Sequence, residues 1–188
     1  MTVPEDVDRI AAASNTGPLL SAFQCAGVEL LKRYMVHIYV APAQLAEFEK
    51  HGASDDFQAL VAEDFVVIAS RLNEAETEQA QILASRIAAQ PTSGDPDPTS
   101  HLPEAEMLVI AMRPELRCRI VLLDEKAARA VAEEIGLRVT GFPGILARAG
   151  LDGLLTKSDI CQMLKLCQQQ GTHYSDALIE HVAETYGR

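Results

Sequence analysis

Several oxygen-bearing side chains stand where an α/β chain can put them to use. Asn15 follows the short apolar stretch IAAAS and precedes Gly17-Pro18; Asp124 closes the aliphatic run IVLLD. Glu47 comes shortly after the β-branched and aromatic HIYVA, Glu104 and Glu106 open EAEMLVIAM, and Glu125 follows Asp124. Carboxylates gathered at strand ends and first helical turns suit Mg²⁺ or Mn²⁺, which take oxygen ligands and share them with water and substrate phosphates. Such a site can activate a water and clamp a phosphodiester for in-line displacement, with no protein nucleophile. Cys25, Cys118, Cys161 and Cys167 form no C-x-x-C pair and no zinc spacing with the five histidines. The cysteines read as reduced small hydrophobes, and His37, His51, His101, His173 and His181 as structural or surface residues.

The elements that must position these groups alternate along the chain. Strands are predicted at 10–14, 37–41, 65–70, 120–124 and 137–141 from β-branched or aliphatic runs. Helices are predicted at 18–27, 28–35, 42–52, 55–64, 74–90, 104–112, 125–136, 143–150, 156–171 and 175–187, several with Pro in the first turn and Gly past the end. PTSGDPDPTSHLP (91–103) holds four prolines and a glycine and reads as the one long loop. In the last helix Leu178, Val182 and Tyr186 form an apolar stripe, read as core packing. Strands separated by helices predict a parallel sheet covered on both faces, a three-layer α/β fold of four to five strands with C-terminal helices. Ligands in such sheets sit beyond the carboxyl ends of the strands, where Asn15 and Asp124 both fall.

A chain of 188 residues with 48% apolar residues reads as one domain, with a core of about 8–150 and a helical extension of about 151–188. The opening MTVPEDVDRI is acidic, not a basic stretch before an apolar run, and no apolar run approaches the roughly 20 residues of a membrane span. The expectation is a cytoplasmic protein without a membrane partner. The net charge of −11 is uneven: residues 1–111 hold seventeen acids and six bases, residues 112–188 ten of each. Such a field repels nucleic acid unless cations or a basic partner intervene. The nearest basic cluster is Arg113, Arg117 and Arg119, without interleaved aromatics.

SNTGPLLSAF, IYVAPAQLAEF, EAEMLVIAM and VLLDEKAARAVAEEIGLRVTG, in that order, resemble the successive motifs of PIN-like domains. GFPGILARAG and HYSDALIEHVAE look like the small prokaryotic branch of that family, so the resemblance runs from about Ser14 to Glu184. It implies a Rossmann-like sheet and a divalent-metal ribonuclease acting on single-stranded RNA. The family is best known for VapC-type toxins of toxin–antitoxin pairs, so an antitoxin partner and a homodimer are implied too. The acid tetrad of the family carries over to Asn15, Glu47, Glu104 or Glu106, and Asp124, with Thr16 as the hydroxyl beside the first position. Two departures stand out. Position 15 is an amide, a form that also occurs in this branch, and Pro103 replaces the glycine usual before the Glu-Ala-Glu helix. An amide oxygen can ligate a cation but brings no charge, and residues i and i+2 of a helix diverge, so one of Glu104 and Glu106 is expected to be the direct ligand.

Each residue also has a plainer reading. Asn15 suits a helix cap, Asp124 can cap the helix after it, and Glu47 can lie on a solvated face near Lys50. Glu104 and Glu106 sit where the helix dipole favours acids, and Arg129 is placed for an i,i+4 pair with Glu125. Two rival functions follow. One is a catalytically weak or inactive PIN-like binding module, which the neutral Asn15 and the acidic charge support. The other is a phosphatase-like or nucleotide-handling enzyme, against which stands the lack of any phosphate-binding glycine loop.

Overall fold

In the computed structural model, which describes residues 8–188, alternation within the strands sets the architecture. The expectation of an acidic N-terminal opening, with Glu5 and Asp6, lies outside those residues. All five predicted strands form: β1 (Ile10–Ser14), β2 (Met35–Val40), β3 (Val66–Ile68), β4 (Ile120–Leu122) and β5 (Val139–Thr140). Ala12, Ile38, Val40 and Leu122 face one packed layer, while Ala13, Tyr39, Val121 and Leu123 face the other. A sheet buried on both faces suits parallel pairing, and every strand pair is parallel in the order β3-β2-β1-β4-β5.

The first layer holds α1 (Thr16–Gln24), α2 (Val28–Tyr34), α3 (Leu45–Lys50) and α4 (Ser54–Ala62). The second holds α5 (Glu74–Ala88), α6 (Leu102–Ala111) and α7 (Lys126–Glu134). The chain then returns to the first layer as α8 (Phe142–Leu151), α9 (Lys157–Gln169) and α10 (Asp176–Tyr186). The fold is therefore the expected three-layer, Rossmann-like α/β sheet. The strand order reverses between β1 and β4, which opens a crevice at their carboxyl ends. Asn15 donates its N–H to the Leu122 carbonyl at 2.9 Å, so the two strand ends stay together there.

Most boundaries shift by a few residues, and two shifts bear on the site. The helix predicted at 42–52 splits into a 3₁₀ turn (Pro42–Gln44) and α3. The loop predicted to last until Pro103 contains a 3₁₀ turn (Pro98–His101), and α6 begins at Leu102 with Pro103 in its first turn. A proline lacks only an N–H that has no partner there anyway. From Ala105 to Ala111 only Glu106 escapes burial, which makes α6 a central helix whose N-terminus points Glu104 at the crevice.

The C-terminal helices pack onto the first layer. Ile160, Leu164, Cys167, Ile179, Val182 and Ala183 join the same core as β1 and α1. Of the stripe on α10, Val182 is buried, with Leu178 and Tyr186 packed at its edge. All four cysteines are free thiols. No helix among the described residues is long and apolar enough to cross a membrane.

Candidate functional site

An amide relay fixes the first position of the site. The Ala41 N–H donates to Gln44 Oε1 at 2.9 Å, which turns Gln44 Nε2 outward to donate to Asn15 Oδ1 at 2.7 Å. Asn15 Oδ1 also accepts from the Thr16 N–H at 2.7 Å, capping α1. With both lone pairs engaged, Asn15 presents its other end, and Nδ2 donates to Glu104 Oε1 at 3.0 Å. Cap and site role coincide in one residue, but the end of Asn15 that meets Glu104 is a donor.

Glu104 stands in the first turn of α6, where the helix dipole favours a carboxylate. Its Oε2 is buried and lacks any protein partner, as does the Oγ1 of Thr16. Burial pushes the Glu104 carboxyl above its ordinary value; the bond from Asn15 pulls it back and the charge of Glu47 pushes it up. Glu47 itself is exposed on α3. Asn15 and Glu104 thus come together, with Thr16 beside Asn15 and Glu47 near enough for its charge to act on Glu104.

Glu106 goes elsewhere. It lines a separate cleft of about 380 Å³ with Arg71 and Thr77, where burial raises its carboxyl pKa. The divergence of positions i and i+2 therefore leaves Glu104, not Glu106, at the crevice.

Asp124 lies just past β4 and is held on both oxygens. Oδ1 accepts from the Phe142 N–H at 3.2 Å and Oδ2 from the Tyr174 hydroxyl at 3.0 Å. The helix it caps is α8, not the one that follows it in sequence. That one, α7, is capped by Glu125, which accepts from the N–H groups of Ala127 and Ala128 at 3.0 and 2.5 Å. Arg129 accordingly makes no i,i+4 pair with Glu125; it donates to the Leu123 carbonyl at 2.9 Å. Burial pushes the Asp124 carboxyl up, against the Tyr174 and Phe142 bonds and the Arg129 charge. Tyr174 also shares a 2.8 Å bond with Ser21, and burial holds its phenol far above the usual range.

Among the described residues no three acids, histidines or cysteines form a ready-made cation cage. The donors present still suit a hard cation that uses one or two carboxylates and fills its shell with water and phosphate oxygens. Glu104 Oε2 is an orphaned carboxylate oxygen, and Glu47 adds a second charge close by. Asn15 does not fit as a direct ligand in this arrangement, because its oxygen is already shared by two N–H donors.

Gln44 and Tyr174 were not among the residues singled out from the sequence. Both make contacts far along the chain, to Asn15 and Asp124, that no local pattern announces. Arg113 of the expected basic cluster is instead buried, with its Nε 2.7 Å from Glu76 Oε1 and further bonds to Ser70 and Arg71.

A family model described as a PIN domain matches residues 11–188. No curated protein and no solved structure gives a significant match.

Proposed function

The chain belongs to the PIN-domain family, a nuclease-type fold, and on that premise we propose that it is a divalent-cation-dependent ribonuclease acting on single-stranded RNA. The observation that carries this reading is the buried, unpartnered Oε2 of Glu104 beside the charge of Glu47. A carboxylate left so in a protein interior costs free energy unless something positive meets it. Glu104 and Glu47 would hold Mg²⁺ or Mn²⁺, which when bound supplies an acidified water and neutralises charge at a phosphate. Asn15 acts as a positioning residue through its bond to Glu104 Oε1, which leaves Oε2 unengaged by protein. Asp124, kept in place by Tyr174 and the start of α8 just past the end of β4, is the proposed second acid pole. Thr16, whose buried hydroxyl lacks a protein partner, supports the first position beside Asn15.

The proposed setting is the cytoplasm, as the toxin of a toxin–antitoxin pair, with a small antitoxin and a homodimer. Light scattering of the purified chain, alone and co-expressed with its neighbouring gene product, tests both assemblies.

Labelled single-stranded RNA incubated with Mn²⁺ decides the activity. Cleavage is expected, and it should vanish with EDTA and in Glu104→Gln. A second reading, a PIN-like binding module with little catalysis, is favoured by the donor end of Asn15 occupying Glu104. RNA binding without cleavage, together with no Mn²⁺ binding by calorimetry, would establish it instead.

A further inference from the structure

A second cleft, of about 410 Å³, opens on the other side of Asp124, between α7, the start of α8 and α10. Its charge is opposite to that of the chain as a whole. Lys126, Arg129, His173 and His181 line it, and Asp124 is the one acid among the described residues that do. That acid already accepts two hydrogen bonds. Lys126, His173 and His181 are exposed. Lys126 has no carboxylate partner among the described ion pairs. Arg129 spends one N–H on the Leu123 carbonyl and its charge also acts on Asp124, so Lys126 is the cleft's cation with no acid facing it among the described residues. Lys126 and Arg129 against the single carboxylate of Asp124 leave a local positive excess in a chain of net charge −11, which suits an anion. At the far wall the ring of Tyr186 meets that of His181 edge-on, with centroids 6.3 Å apart.

We infer that this cleft seats a backbone phosphate of single-stranded RNA, with Lys126 and Arg129 as its cationic contacts and Tyr186 as a stacking surface for the adjoining base. Single strands are held by this combination, positive groove plus aromatic face, without reading sequence. A Cβ on Gly17 would lie 3.7 Å from Asp124 Oδ2, so the cleft reaches the start of α1, two residues along the chain from Asn15. His173 and Tyr174 reach the cleft from the segment between α9 and α10, and His181 and Tyr186 from α10. The C-terminal segment thus lines part of the cleft as well as part of the core. The inference rests on the ribonuclease reading for the identity of its ligand, not for the presence of the site.

The test is binding of a short unstructured fluorescent RNA in EDTA, read by anisotropy at several salt concentrations. Lys126→Gln/Arg129→Gln should bind roughly tenfold more weakly, with a shallower salt dependence by about one unit of slope per cation removed. Tyr186→Leu should weaken binding while leaving the salt slope unchanged. Should Arg129→Gln fail to fold, the exposed Lys126→Gln alone must still flatten the slope. Folded variants with wild-type affinity and slope would overturn the inference. So would adenosine monophosphate competing as well as unlabelled RNA, which would make this a mononucleotide pocket. Wild-type protein that binds but never cleaves defeats the ribonuclease reading alone; cleavage with unaltered binding by the double variant defeats only this one.

Discussion

An amide at position 15 can do what a carboxylate there cannot: donate a hydrogen bond to Glu104. Asn15→Asp removes that donor and sets a second negative charge against Glu104 and Glu47. In EDTA the variant should lose about 1–3 kcal/mol of stability by urea melting, because Glu104 Oε1 joins Oε2 without a partner. With Mn²⁺ its affinity by calorimetry should rise; an unchanged affinity would show that residue 15 lies away from the cation. Glu104 gives a pH signature as well. Its folded pKa is raised above the ordinary 4.5, so the folded chain takes up this proton more readily than the unfolded chain. Its contribution to stability is greatest below the ordinary value and is lost as pH rises through the folded value. Glu104→Gln should therefore melt higher than the wild type at neutral pH without cation. It should also lose that part of the pH dependence and show no Mn²⁺-induced rise in Tm. A wild-type Tm that Mn²⁺ leaves unmoved would count against Glu104 as the cation's carboxylate.

Between elements, the sharpest constraint is the approach of β4's end to the start of α8. A Cβ on Gly141 would lie 2.0 Å from Asp124 Oδ1, far inside contact distance, so only glycine lets the carboxylate cap that helix. Gly141→Ala should cost about 1–3 kcal/mol, measured by thermal or urea melting. Combining it with Asp124→Gly should cost less than the two single changes together, since the second removes the obstacle. This constraint could not be read from the sequence. GFPGILARAG announces a helix, but not which carboxylate sits on its first N–H. The strands were legible because aliphatic and β-branched runs are local, and so was the crevice, because strand ends follow from strands. The start of α6 was misjudged because four prolines look like a loop, although the last of them fits a first helical turn. Gln44 falls in a predicted helix and Tyr174 between two, but their partners Asn15 and Asp124 are far along the chain, and Arg113 announces its charge but not the burial on Glu76 that consumes it.

For the molecule as a whole, the acidic half and the neutral half divide the labour. Asn15, Glu47 and Glu104 belong to residues 1–111, where acids outnumber bases, while the cationic cleft is built wholly from residues 124–186. The unit does not end at α8. A chain stopped after residue 151 would lose Tyr174 and uncover the core contacts of Ile160, Ile179 and Val182 with α8 and α1. It is expected to melt without a cooperative transition by circular dichroism, whereas a sharp transition would show that residues 152–188 are dispensable. The bond from Tyr174 to Asp124 also sets an order of events during synthesis. On the ribosome, the acids are translated well before the phenol that steadies one of them. A nascent chain therefore holds Asp124 without its phenol until the segment ahead of α10 has emerged, so this carboxylate is the last part of the strand-end region to be fixed.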